Sequence, residues 1–267
     1  MSAKHHTVTT PHGQVSYLAS GAGSVVVMLA SLGRPAEDFN HLAARLSDKG
    51  YRTIAVQPRG VGGTDRGIEN PTMGDLAEDI VAVIDAEAGE VPVFIIGHAF
   101  GNRLARTVAV MYPVRVRALV LLAAGGKVPI AKKARDALIG TFVLEDPEER
   151  RLEDIRYALF AEGNPVPPEW IDNWYPDTAT LQSSAVQSVS YESFWSGGGR
   201  PMLVIAGKAD TIAPVEDTVA HLKESYGDQI SVAELEAAGH ALLPEQPEKI
   251  ATLVFDYLKS QGEYEER

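Results

Sequence analysis

Cysteine is absent from the 267 residues. That one absence excludes disulfides, thiolate metal sites and a cysteine nucleophile. Basic charge is scarce: 24 Lys and Arg stand against 36 Asp and Glu, a formal net charge of −12. Such a surface repels phosphate backbones and anionic lipid, so neither nucleic acid nor a membrane is an expected partner. Long apolar runs are missing as well. Stretches 25–30 and 118–124 fall far short of the ~20 residues a membrane-spanning helix requires. The first thirteen residues are polar, include His5 and His6, and lack the apolar core of a secretory signal. These absences describe a cytoplasmic protein whose partner is a small molecule. Its oligomeric state is open, a homodimer included. What is present is ordinary globular composition, 45% hydrophobic and 22% charged, enough for one large core.

Short apolar runs alternate with longer segments of helical period. Residues 8–10 and 14–18 flank Pro11-His12-Gly13, a hairpin pattern. Residues 24–30 form a nearly continuous apolar run, as in a strand buried on both faces. Helical spacing follows at 38–48, then a strand at 52–56, a glycine turn at 59–63 and an amphipathic helix at 73–86. A strand at 91–96, a helix at 100–111 and a strand at 116–123 continue the alternation. Residues 127–196 break it with charge clusters, prolines and aromatics but no clear strand, and read as a helical insertion. Gly197-Gly198-Gly199 reads as a flexible return. A strand at 201–206, a helix at 215–225, a strand at 230–235 and a helix at 247–259 complete the chain. This alternation predicts an α/β fold with a mostly parallel sheet of about eight strands covered by helices on both faces. The expected division is a core of residues 1–126 and 197–267 and a helical lid at 127–196.

The strand at 91–96 runs directly into Gly97-His98-Ala99-Phe100-Gly101-Asn102, and a helix follows. Glycines at the first and fifth positions suit a strained turn in which strand and helix backbones nearly touch. The middle residue then protrudes at a helix N-terminus. This segment resembles the nucleophile elbow of the α/β-hydrolase fold. The loop Gly207-Lys208-Ala209-Asp210 resembles that family's acid position, and Ala238-Gly239-His240 resembles its histidine loop, in the family's order. The likeness covers nearly the whole chain, with the insertion in the place of the usual lid. It implies an esterase- or lactonase-like hydrolase without cofactor. It also implies a dyad of Asp210 and His240, with an oxyanion hole from the backbone N–H groups of Leu32 and Phe100.

One residue departs from this pattern. The resemblance implies serine at the elbow, and the sequence has Ala99. Acyl-enzyme chemistry at that position is closed. The alanine is either an engineered change or a natural one. Departures at Ala30-Ser31, Gln57 and Asn102 tilt toward a natural alanine. Three function classes follow: a serine-type hydrolase of a small, mainly apolar ester, lactone or related carbonyl compound in its alanine form; a serine-free enzyme whose His240 serves as general base for water attack, C–C cleavage or lyase chemistry; and a small-molecule binding protein. Epoxide hydrolase and haloalkane dehalogenase action is disfavoured, because those relatives place aspartate where Ala99 stands.

Other residues invite weaker readings. Ser31 could present a hydroxyl to the pocket, although bonding to local backbone is the commoner fate of such a residue. Trp174 and Trp195 are candidates for ligand contact, against the alternative that they form the insertion's own core. His98 adjoins the elbow but is expected to be a buried structural histidine. Gly60, Gly62 and Gly63 lack the Lys-Ser/Thr pair of a phosphate loop. His5, His6, His12, His41 and His221 show no metal-ligand spacing with carboxylates, so no metal is expected.

Overall fold

The computed structural model describes residues 3–125 and 127–262. The strands are β1 (Lys4–Thr10), β2 (Gly13–Ser20), β3 (Ser24–Leu29), β4 (Tyr51–Val56), β5 (Val93–His98), β6 (Val116–Leu122), β7 (Met202–Gly207) and β8 (Ile230–Leu235). They form one sheet in the order β1-β2-β4-β3-β5-β6-β7-β8. The β1–β2 hairpin is antiparallel and joins β4 antiparallel; every pairing from β4 to β8 is parallel.

The central strands are apolar throughout because both faces are covered. Along β5 the side chains alternate between two cores. Val93 and Ile95 face a cluster shared with helices α2 (Met73–Ala88) and α3 (Phe100–Met111). Phe94 and Ile96 face a cluster shared with α1 (Asn40–Ser47) and the C-terminal helix Pro247–Ser260. Helix α2 starts where Thr72 and Asp75 form a reciprocal capping box. Among the described residues no helix is long and apolar enough to cross a membrane.

Between β6 and β7 lie five helices: α4 (Lys132–Gly140), α5 (Glu148–Leu159), α6 (Pro168–Asp172), α7 (Pro176–Gln187) and α8 (Glu192–Trp195). They carry a small core of their own around Ile155, Phe160, Trp170 and Trp174. The return to the sheet differs from the flexible glycine link expected. Gly197–Gly199 is a tight turn against α3, and a Cβ at Gly198 would lie 2.1 Å from the Ala109 carbonyl oxygen. Glycine serves there for close approach.

The strand order reverses between β3 and β5, whose neighbours β4 and β6 lie on opposite sides. Such a switch point opens a crevice at the carboxyl ends of the strands, where ligands of open α/β sheets bind. The loop after β3 (residues 30–33) and the turn after β5 (Ala99) both leave from that end.

A buried ion pair braces the outer wall. Arg59 Nη2 lies 2.5 Å from an Asp79 carboxylate oxygen, with both side chains almost fully buried. Asp79 also accepts from Thr10 Oγ1 at 2.9 Å, and Arg59 Nη1 donates to the His12 carbonyl at 3.1 Å. Removing one partner leaves the other charge buried and uncompensated. Asp79→Ala is therefore expected to lower unfolding free energy by about 3–5 kcal/mol in urea denaturation. A loss under about 1 kcal/mol would show that the pair is not a buried brace.

Candidate active site

The elbow is built by close contact. A Cβ at Gly97 would sit 2.3 Å from the Gly101 carbonyl oxygen, and one at Gly101 would sit 2.0 Å from that of Leu29. No side chain fits at either position. Between them Ala99 takes φ 49° and ψ −107°, the left-handed half of backbone space that a non-glycine residue adopts only under constraint. Three hydrogen bonds hold it. The Ala99 N–H donates to Leu122 O at 2.9 Å, and Ala99 O accepts from the Asn102 N–H at 3.1 Å and from Asn102 Nδ2. Asn102 is itself fixed by Arg106, whose Nη2 donates to Asn102 Oδ1 at 2.6 Å. Asn102 thus supplies side-chain support to the elbow. The sequence marked it only as a departure from glycine.

The structure brings Asp210 and His240 together. His240 Nδ1 lies 2.8 Å from Asp210 Oδ2, and both residues are buried. The other Asp210 oxygen accepts from the backbone N–H groups of Ile212 and Ala213, each at 2.8 Å. A carboxylate held this way fixes the imidazole tautomer with the proton on Nδ1, leaving Nε2 as the basic nitrogen. The histidine loop is tied to the elbow strand by His98, whose Nε2 donates to His240 O at 2.8 Å. His98 is thus placed as a buried structural histidine. Burial, reinforced by the neighbouring His240, pushes its pKa down to about 3.

Glu245 was not singled out in the sequence, although it lies five residues after His240. Its carboxylate accepts at 2.7 Å from the N–H of Gly239, from the N–H of Ala161 and from Asn164 Nδ2. With the Ala241 N–H donating to Leu159 O at 2.8 Å, it clamps the histidine loop to the end of α5. A second clamp lies on the loop after β3. The Gly33 N–H donates to Gln182 Oε1 at 2.8 Å, and Gly33 O accepts from the Tyr175 N–H at 3.0 Å. The backbone N–H groups of Leu32 and Phe100, expected as oxyanion donors, have no hydrogen-bond partner among the described residues. Ser31 is buried, its carbonyl accepts the Arg34 N–H at 3.2 Å, and its hydroxyl makes no hydrogen bond among those residues.

Trp174 and Trp195, the candidates for ligand contact, each pack against a buried arginine. Trp174 donates from Nε1 to Trp170 O at 2.8 Å and meets the Trp170 ring edge-to-face at 5.9 Å; the buried Arg34 guanidinium, whose charge Asp38 balances, lies over both rings. Trp195 covers Arg106 at 4.9 Å and donates to Ser225 Oγ at 3.2 Å. One of the histidines without metal-ligand spacing in the sequence does lie beside carboxylates in the fold. His12 Nε2 lies 3.1 Å from Glu78 and 3.6 Å from Asp75, partners more than sixty positions away that sequence spacing does not reveal. The same contacts are those of an ordinary His–carboxylate pair at a helix cap.

The model of the alpha/beta hydrolase family matches residues 18–253. The chain belongs to that family. The AB hydrolase superfamily protein YisY of Bacillus subtilis is 25% identical over 271 residues, covering 96% of this chain and 99% of YisY. Epoxide hydrolase 2 of Siraitia grosvenorii is 33% identical over 125 residues, 46% of this chain and 39% of that protein. The chain spans about two fifths of the length of the first curated relatives it matches. An esterase from Exiguobacterium antarcticum shares the fold at a TM-score of 0.80 and 21% identity, covering 96% of this chain and all of that one.

His98 gives a pH test. Its folded pKa lies below the ordinary imidazole value of 6.5, so the unfolded chain binds an extra proton between about pH 3 and 6.5. The stability linked to a neutral His98 is complete above about 6.5 and is lost as pH falls toward 3. The His98 ring resonances are expected to stay in the neutral position down to about pH 4, and His98→Gln to flatten the fall in unfolding free energy below pH 6.5. An ordinary titration of that ring near pH 6 would contradict this.

Proposed function

We propose that the chain hydrolyses a small, mainly apolar ester, lactone or related carbonyl compound, with His240 as general base and Asp210 as the carboxylate that orients it. The observation that carries this reading is the 2.8 Å Asp210–His240 hydrogen bond tied to the elbow strand through His98. Membership of the hydrolase family supports it. The epoxide hydrolase names among the relatives do not carry over, because the resemblance places aspartate at the elbow for that activity and position 99 is alanine.

With Ala99 there is no covalent intermediate. His240 Nε2 takes a proton from a bound water as the water oxygen adds to the substrate carbonyl carbon. The oxygen that gains charge is received by the N–H groups of Phe100 and Leu32, of which Phe100 opens a helix and carries its dipole. Collapse of the adduct expels the alcohol oxygen, which takes the proton back from His240. Asp210 stays ionised throughout and stabilises the imidazolium. Residues 127–196 act in this reading as a lid over the core formed by 1–126 and 197–267.

The test is steady-state hydrolysis of a panel of short aryl esters and lactones. His240→Ala is expected to cut kcat/KM about 10²-fold or more, the usual contribution of a positioned base. Ala99→Ser is expected to add a burst of released alcohol. If the chain as given is inert while Ala99→Ser turns over, the water route is wrong. If neither turns over in a folded protein, the ester and lactone reading fails.

A further inference from the structure

Arg106 is wholly buried on α3 and makes no ion pair with a carboxylate among the described residues. Burial lowers its pKa to about 10, so at neutral pH it is still a cation. The Phe194 and Trp195 rings of α8 lie against the guanidinium at 5.1 Å and 4.9 Å. A buried cation is costly unless something engages it. Here Asn102 does so: Arg106 Nη2 donates to Asn102 Oδ1 at 2.6 Å, and Nε donates to Asn102 O at 3.3 Å. Asn102 Nδ2 in turn donates to Ala99 O, which also accepts the Asn102 N–H at 3.1 Å. The Ala99 carbonyl and the Phe100 N–H are the two ends of one planar peptide group. From the guanidinium to that N–H every link donates in the same direction, and bonds in such a chain polarise one another.

We propose that Arg106 is a positioning residue for the reaction: through Asn102 and the Ala99 carbonyl it strengthens the Phe100 N–H as donor to the substrate oxygen that gains charge. A carbonyl oxygen held by two donors draws electron density from its own peptide nitrogen and leaves the N–H more positive. The guanidinium polarises the Asn102 amide that supplies one of those donors, because a bond from a charged group is the stronger kind. The two donors also fix the plane of the Ala99–Phe100 peptide, and with it the direction of the N–H. The charge is available for this use because no acid cancels it. The buried Arg59 and Arg34 are each balanced by an aspartate, Asp79 and Asp38. Arg106 has an amide in that place, and the amide leads to the elbow. The part in catalysis rests on the hydrolase reading; the polarisation of the N–H does not.

The experiment is hydrogen exchange of the Phe100 amide, read by NMR on the whole chain, beside steady-state turnover of short aryl esters and lactones. Base-catalysed exchange passes through a peptide anion whose charge rests on Ala99 O and Phe100 N, so it responds to the same polarisation with no substrate present. Arg106→Met and Asn102→Gly each cut the chain of bonds. Methionine removes a buried unpaired charge, and glycine at 102 keeps the backbone N–H on Ala99 O, so both variants are expected to fold. Each is expected to slow Phe100 exchange about tenfold or more, the ratio a hydrogen bond to a charged group supports. Each is also expected to lower kcat by a like factor with KM within about twofold, since the oxygen's charge develops only in the transition state. A merely structural role moves exchange the other way, because a loosened elbow opens more often. Unchanged or faster exchange in either variant, folded by its circular dichroism, overturns the proposal. Slower exchange with kcat unchanged overturns the part in catalysis. Slower exchange where neither the parent chain nor a variant turns over sinks the hydrolase reading and leaves the polarised N–H standing.

Discussion

The close approach of three backbones at the end of β5 is the constraint on which the site depends. Gly97, Gly101 and the Leu29 carbonyl occupy a space that admits no Cβ. Ala99, between the glycines, is thereby driven to φ 49°. Strain of this kind persists only where the surroundings over-determine it. Here they do so through Leu122 O, the Asn102 N–H and the Asn102 amide. The same packing starts α3 at Phe100, so a helix N-terminus and its free N–H groups point into the crevice at the switch point of the sheet. Position 99 could carry any small side chain without altering this frame. The geometry belongs to the glycines and to the backbone.

The remaining loops are fixed by satisfying buried polar atoms. Asp210 has both oxygens engaged, Glu245 gathers three N–H donors, and Gly33 uses both its N–H and its carbonyl on the insertion. Buried polar groups are costly when unpaired, so each of these contacts fixes a position as well as contributing attraction. The insertion is therefore part of the site's scaffold. It grips the loop after β3 through Gln182 and Tyr175 and the loop after β8 through Leu159, Ala161 and Asn164. A rearrangement of α5 or α7 would be felt at the histidine and at the proposed oxyanion donors together.

The parts legible in the sequence are those with a local signature. Short continuous apolar runs and period-3.6 apolar spacing located the strands and core helices. Helix 100–111 and strand 230–235 fall at the bounds expected, and the other core elements within a few residues, because each carries its own pattern. The elbow was visible because two glycines four residues apart between a strand and a helix describe a backbone shape. Contacts between distant segments left no such mark. The sequence presents Glu245 as one acidic residue among many, and its role appears only when Gly239, Ala161 and Asn164 converge on it. Gln57 departs from the acid the family often has, yet its amide donates to Glu37 and accepts from the Ala36 N–H. The surroundings of Trp174 left no mark either. An aromatic side chain in an insertion carries no local sign of whether it faces a ligand or a buried arginine.

Alanine at the elbow changes the chemistry less than the loss of a nucleophile suggests. The costly part of carbonyl hydrolysis is charge, and groups already fixed in place lower that cost most. Those groups are backbone N–H donors and the Asp210–His240 pair, and none of them requires a side-chain oxygen at position 99. What serine would add is an attacking oxygen already held in position, which spares the entropy of capturing a separate reactant. A methyl side chain at Ala99 leaves room where that oxygen would be. Under the proposed route a water placed there meets the same base as a serine hydroxyl would, and the same N–H donors receive the substrate oxygen that gains charge. The reaction then completes in a single addition and collapse, with no acyl-enzyme to discharge. Under the proposed route the site therefore keeps its means of stabilising charge and gives up pre-positioned attack. Its selectivity must then rest on how firmly the substrate itself is held.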